Sequence, residues 1–343
     1  MALTINSALP TRFENLADLA RLPFFEVKDG RLVLADLSLG PAVDVHTHLA
    51  LTYAVKQKLD LQKEWPKTEH YLPEGRPIDL DVYINRNFAQ EELKALEKDL
   101  SLGSVTAAGM RRTHTVPNLV KEMQELGVRH SVLLPIDFPL LSDNAGTWLD
   151  AVKTRDDVLC FGSVHPYRLG MTKNLDRQIK LGARGVKVHP AVQMVRPDDR
   201  RAMKLYKLCG ERKLPILFHC GPVEIETRLG RYLSQVRFYE KALAENPQTT
   251  FILGHSGALQ MPEALAYAKK YPNVYLELSS QSLSNVKRIL TEAPPERVLF
   301  GSDWPFYHQA IGLAKVFLAS ADPTVRRRAL YGNAQRLFGL RAA

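Results

Sequence analysis

The chain has 343 residues, 45% hydrophobic and 24% charged, ordinary globular proportions that allow one large domain and exclude wholesale disorder. Its net charge of +9 is modest for this length: the densest basic cluster, Arg326, Arg327 and Arg328, reads as a solvated helix face, and without a basic stripe or a recognisable module nucleic-acid binding is excluded. Three scattered cysteines (Cys160, Cys209, Cys220) with no CxxC exclude a disulfide framework, and no run approaches the ~18–20 apolar residues of a membrane span. The N-terminus has no basic start followed by an apolar stretch, so the expected compartment is a reducing, cytoplasmic one.

In chain order, residues 1–40 form an N-terminal extension expected to pack on the main domain. Within it VKDGRLVL predicts a small hairpin turning at Asp29 and Gly30. PAVDVHTHLA (41–50) is the first strand. Residues 51–127 are too long for a single strand-to-helix connection. They are expected to hold helices near 88–101 and 115–126 and to lie over the mouth of the fold, with the Pro-rich stretch around 73–77.

From residue 128 a rhythm sets in. VRHSVLLPID, VLCFGSVHP, ARGVKVHP, LPILFHCG, TTFILGHSG, NVYLELSS and RVLFGSDWP begin 24 to 35 residues apart, the length of a strand-plus-helix unit. Each run is nearly continuous in apolar residues, as strands buried on both faces require. Between them, 198–213 and 261–272 read as helices. At the C-terminus Leu330, Ala334, Leu337 and Phe338 share one helical face that should pack against the sheet. With the strand at 41–50 the count is eight, which predicts a closed (β/α)8 TIM barrel spanning 41–343. An open doubly wound sheet is the competitor, and the glycine-rich phosphate loop it calls for after its first strand is missing.

The chemistry-bearing residues sit at strand ends. His46 and His48 are two apart on one strand and so share a face, half of a tetrahedral metal site. A lone HxH is weak evidence. Here, however, Lys187 and His189, His219, His255 and Asp303 end four further runs that are otherwise apolar. Catalytic residues of a (β/α)8 barrel project from these C-terminal ends, and several unrelated buried histidines with an unpaired Asp would be costly as mere core. Imidazoles with one carboxylate suit zinc, or manganese or iron, better than calcium or magnesium. Such a metal activates water, and His255 and Asp303 are the two candidates to move its protons.

Taken together, VDVHTHLA, GVKVHP, LFHCG, ILGHSG, VLFGSDWPF and the terminal GNAQRLFGL resemble the amidohydrolase superfamily over roughly residues 41–340. The likeness is to the amidohydrolase-related branch that includes the aminocarboxymuconate-semialdehyde decarboxylases. It implies that His46, His48, His219 and Asp303 are the metal ligands and that His255 is the acid/base group facing the metal-bound water. It implies one divalent ion, zinc first, or two if Lys187 is a carboxylated bridge; His219 and His255 would then hold the second ion and Asp303 would be the main base. Alternatively Lys187 is a plain ammonium binding a substrate carboxylate, or an ion-pair partner inside the barrel.

Other residues carry weaker readings. His189 and His165 are pocket or supporting candidates, and Trp304 and Phe306 are candidate pocket walls. Arg111, Arg112 and His114 could grip an anionic substrate but read better as a solvated loop. Cys220 should point away from the metal, and His70, His130 and His308 have no supporting context. The expected function is metal-dependent hydrolysis of an amide, lactone or ester bond in a small anionic molecule. The alternative is non-oxidative decarboxylation of an aromatic or unsaturated acid, and a non-catalytic binding barrel is a third reading. A homodimer is an expectation by fold analogy alone.

Overall fold

Eight apolar runs become parallel strands because each is buried on both faces, between a filled interior and an outer ring of helices. The computed structural model describes residues 9–341 apart from 54, 102, 139 and 140. Its barrel strands are β1 (Ala42–Thr47), β2 (Val128–Leu133), β3 (Val158–Cys160, resuming after Phe161 as Gly162–Ser163), β4 (Val186–Val188), β5 (Ile216–His219), β6 (Phe251–Gly254), β7 (Val274–Glu277) and β8 (Val298–Leu299). β1, β2 and β3 pair in parallel. The second half of β3 carries the sheet on through β4, β5, β6, β7 and β8. The ends then meet: Val45 N–H donates to the Phe300 carbonyl at 3.0 Å, and Asp303 N–H donates to the His46 carbonyl at 2.8 Å. The result is the (β/α)8 barrel that the spacing predicts.

The interior is filled by Val43, Val45, Val132, Leu134, Phe161, Leu217, Ile252 and Leu299, together with Tyr331, Ala334 and Phe338. The C-terminal helix Asn333–Phe338 thus plugs the barrel end away from the strand C-termini. Of the face expected there, Ala334, Leu337 and Phe338 pack on the interior, whereas Leu330 joins the outer core. The π-helical stretch Arg328–Gly332, which holds Leu330, breaks the 3.6-residue period on which that face rests.

β1 carries a register shift between Asp44 and Thr47. The bulge lets Val45 fill the interior while His46 and His48, next along, face the mouth. Asp44 turns the other way, accepting from Ser302 N–H at 2.9 Å and Gln309 Nε2 at 2.7 Å, and so pins β1 to the chain beyond β8.

The hairpin expected in the extension is present. Phe25–Lys28 pairs antiparallel with Arg31–Leu34, and Asp29 and Gly30 have φ of 51° and 72°, as a tight two-residue turn demands. Helices Gln90–Leu100, Val116–Glu125, Arg200–Glu211 and Met261–Lys270 match the four stretches read as helical. No helix among the described residues is long and apolar enough to cross a membrane.

Candidate metal centre

A cavity of about 620 Å³ opens at the C-terminal ends of the strands. Its floor is His46, His48, Lys187, His189, His219, His255 and Asp303, so the strand-end residues singled out by sequence meet in one place. Its walls are largely apolar. Leu51, Tyr53, Tyr83, Leu96 and Leu100 come from the 51–127 segment, facing Ile136, Val223, Ile225 and Phe306.

At the floor, Asp303 Oδ1 lies 3.3 Å from His48 Nε2 and 3.6 Å from His46 Nε2, and these three ligand atoms are mutually within 4.8 Å. Asp303 reaches the site because its φ is +67°, a turn that aims its side chain inward just past β8. His219 stands apart from this trio: its Nδ1 faces His255 Nε2 at 3.2 Å. His46, His255 and Glu277 also cluster closely enough to hold an ion, but His46 Nδ1 is already bonded to Glu277 Oε2 and His255 Nδ1 to the Ser279 hydroxyl.

Those hydrogen bonds settle the tautomers. A carbonyl only accepts, so the 2.8 Å contact from His48 Nδ1 to the Leu134 carbonyl places the hydrogen on Nδ1 and a lone pair on Nε2. His46 Nδ1 donates likewise to Glu277 Oε2 at 2.7 Å. The Ser279 hydroxyl donates to Glu277 Oε2 at 2.7 Å and therefore accepts from His255 Nδ1 at 2.8 Å. Each of these rings is held by its outer nitrogen and turns a lone pair inward, the arrangement that metal-ligating imidazoles need. Convergent neutral imidazoles with one carboxylate fit a divalent transition ion.

The electrostatics agree. Burial, reinforced by Lys187, lowers His46 well below its ordinary value and His48 to about 3. Burial and the neighbouring His46 and His219 do the same to His255, so these rings stay neutral. Burial pushes Asp303 up and Lys187 down, and their mutual attraction opposes both shifts. Lys187 Nζ lies 3.2 Å from His46 Nε2, inside the site, and among the described cavity-lining residues it is the one lysine or arginine. His189 lines the floor, stacked on His219 at 4.0 Å with rings 7° apart.

Several expectations need correcting. Trp304 does not wall the cavity. It is fully buried, and its indole N–H donates to Glu122 Oε2 at 3.0 Å, because the turn at Asp303 sends the next side chain outward; Phe306 lines the cavity instead. The Arg111 to His114 segment does not reach the mouth. Arg111 is buried on the Leu51 and Gly103 carbonyls, Arg112 pairs with Glu69, and His114 Nε2 bonds the Glu69 carbonyl. His165 bonds the Gln193 carbonyl, outside the cavity lining. Cys220 lies in the outer core, as strand alternation predicts.

Sequence reading missed Glu277, although its signal was there: it is the lone charge in the apolar run NVYLELSS, near that strand's C-terminal end. It also missed Glu226, Tyr83 and Tyr307, which reach the cavity from loops and carry no periodic signal.

The model of a family described as Amidohydrolase matches residues 43–340. No curated protein matches the sequence significantly. Among solved structures, an uncharacterised TIM-barrel protein from Bordetella bronchiseptica is 17% identical, with a TM-score of 0.63 over 88% of this chain and 99% of that one. A dihydroxybenzoic acid decarboxylase from a Polaromonas species, with bound manganese and the inhibitor 2-nitroresorcinol, is 15% identical, with a TM-score of 0.55 over 88% and 98%. A probable 2-pyrone-4,6-dicarboxylic acid hydrolase from Acinetobacter baumannii, with citric acid bound, is 14% identical, with a TM-score of 0.52 over 88% and 100%. At these identities the likeness is one of fold. The family match covers the whole barrel, and with the donor set at its mouth it places the chain in the amidohydrolase superfamily of metal-dependent enzymes.

Proposed function

We propose that the protein is a hydrolase that cleaves an amide, lactone or ester bond in a small molecule with an apolar body and one anionic group. The observation that carries this reading is the convergence of His46 Nε2, His48 Nε2 and Asp303 Oδ1 at the floor of a cavity with mostly apolar walls and, among the described residues, one cationic side chain. A divalent ion held there, zinc in the first instance, would polarise the scissile carbonyl and acidify water. His219 would complete the ligand set. Asp303 would accept a proton from the attacking water. His255, backed by Ser279 and Glu277, would carry a proton to the leaving group. Lys187, as a plain ammonium, would hold the substrate's negative oxygen. The apolar wall would keep competing water from the body of the substrate.

Decarboxylation of an aromatic monocarboxylate is the second reading. Among the described lining residues, one ammonium in a largely apolar chamber suits one carboxylate on a ring, and His255 could then deliver the proton that replaces it. The test is to incubate metal-loaded protein with lactones, esters, amides and aromatic acids while following acid release and carbon dioxide together. Acid release without carbon dioxide supports hydrolysis. Carbon dioxide from an aromatic acid would move the assignment to the second reading. No turnover of any class by metal-loaded protein would overturn both.

A further inference from the structure

The loop after β5 brings Glu226 down onto the cavity wall. Its side chain is only 8% exposed. Val223 N–H reaches both carboxylate oxygens, at 2.9 and 3.1 Å. The next residue, Thr227, caps the helix Arg228–Leu233 through a contact from Gly230 N–H at 3.1 Å. Glu226 is therefore anchored, and its Oε1 stands 3.6 Å from His219 Nε2. That nitrogen is buried and has no hydrogen-bond partner among the described residues.

A neutral imidazole holds one hydrogen, and His219 has two places for it. On Nδ1 it would point at His255 Nε2, 3.2 Å away, and His219 would be spent as a donor to another ring. On Nε2 it would face the Glu226 carboxylate, and Nδ1 would turn a lone pair toward that of His255 Nε2, 3.2 Å away, giving up the ring-to-ring hydrogen bond and leaving both nitrogens free to ligate. The 3.6 Å separation is that of an ion pair rather than a hydrogen bond. With both side chains only 8% exposed, however, a carboxylate's field still favours an N–H dipole pointing toward it.

We propose that Glu226 is a positioning residue: it holds His219 in the Nε2–H tautomer so that the Nδ1 lone pair is available to the metal centre. This rests on the reading of the floor as a metal site. Carboxylate partners of this kind orient ligating histidines, and their loss typically weakens metal binding by about 10- to 100-fold.

The experiment compares wild type, Glu226→Leu and Glu226→Gln. Zinc affinity is measured by competition with a chromophoric chelator. Histidine side-chain ¹⁵N shifts are recorded on metal-free protein, with the His219 signal identified by its loss in His219→Asn. The expected result is an Nε2–H His219 in wild type. Glu226→Leu should shift it toward Nδ1–H and weaken zinc binding by about 10-fold or more. Glu226→Gln keeps a carbonyl acceptor and should restore both readings to near wild type. Glu226→Ala repeats the test if Leu unfolds the loop, with thermal unfolding as the check. An unchanged tautomer and unchanged zinc affinity in the Leu and Ala variants would overturn the role of Glu226 and leave the metal centre standing. Failure of wild type to bind zinc would overturn the metal reading instead, while the ¹⁵N shifts would still decide the tautomer.

Discussion

Replacing Glu277 by Gln tests whether one buried carboxylate organises the metal centre. Glu277 is 0% exposed and accepts from four donors. His46 Nδ1 at 2.7 Å, the Ser279 hydroxyl at 2.7 Å and His255 N–H at 3.0 Å reach Oε2, and Ser279 N–H at 2.5 Å reaches Oε1. A carboxamide has the same shape but one accepting oxygen. With that oxygen at the Oε2 position, its NH₂ confronts Ser279 N–H; reversed, it confronts the other three donors. In the better orientation one buried donor loses its partner, at about 1–3 kcal/mol, and three charge-assisted bonds become neutral ones, at roughly 1 kcal/mol each. The sum, about 4–6 kcal/mol, is a large share of the ~5–15 kcal/mol that holds a typical fold together. Urea unfolding of metal-free protein measures the loss. Zinc titration should show affinity lower by about 10- to 100-fold, because His46 loses the partner that fixes its ring. A Gln variant within about 1 kcal/mol of wild type, with unchanged zinc affinity, would refute the reasoning.

Three further outcomes are expected. Gly301→Ala should destabilise the protein by at least about 1–3 kcal/mol and lower its metal content, because a Cβ there would sit 2.2 Å from Glu277 Oε1 and 2.8 Å from His46 Cβ; thermal unfolding and metal analysis check it, and a variant that retains both would contradict the packing described. His255→Asn should keep its metal yet lose about 10²- to 10⁴-fold in turnover of whichever substrate the panel identifies; equal turnover would remove His255 from the chemistry. For His70, burial opposes the charged ring, but Glu122 and Glu74 outweigh it and raise its pKa from 6.5 to about 9. Its stabilisation is therefore complete below pH 6.5 and lost as pH climbs through 9. The stability gap between wild type and His70→Gln should shrink across that window, and a gap that stays flat would mean that the pair with Glu122 does not raise His70.

The barrel was legible because parallel strands buried on both faces leave runs whose apolar character and spacing need no tertiary knowledge. Asp29-Gly30 was legible because few dipeptides tolerate two positive φ angles in succession. Most of the floor could be read from charged or imidazole side chains closing apolar runs. What failed was direction. Strand alternation placed Cys220 correctly because β5 stays regular up to it. At Asp303, and at His255, Ser256 and Ala258, φ is positive, and a left-handed residue abandons alternation without any mark in the residue type. Trp304 was misplaced for that reason. Arg111 was misread for another: its buried position depends on carbonyls of Leu51, Gly103 and Thr106, and backbone acceptors from another part of a long insertion are invisible in sequence. Glu226 depends on a loop conformation of the same kind.

The closure of the barrel between β1 and β8 also fixes when the centre can exist. Asp44 and Ser302, hydrogen-bonded across that seam, are 258 positions apart, and the trio of His46, His48 and Asp303 spans it as well, with two side chains from the end of β1 and just past it and one from the chain just past β8. At ribosomal rates of about 5–20 residues per second, His46 and His48 emerge roughly 10–50 s before Asp303 is made. Through that interval the nascent chain offers an ion only a two-nitrogen grip, weak and unselective. The choice of ion would therefore fall to the finished barrel. An ion seated there would act as a clasp across the first and last strands, and any opening that begins by parting the chain's two ends would first have to let it go.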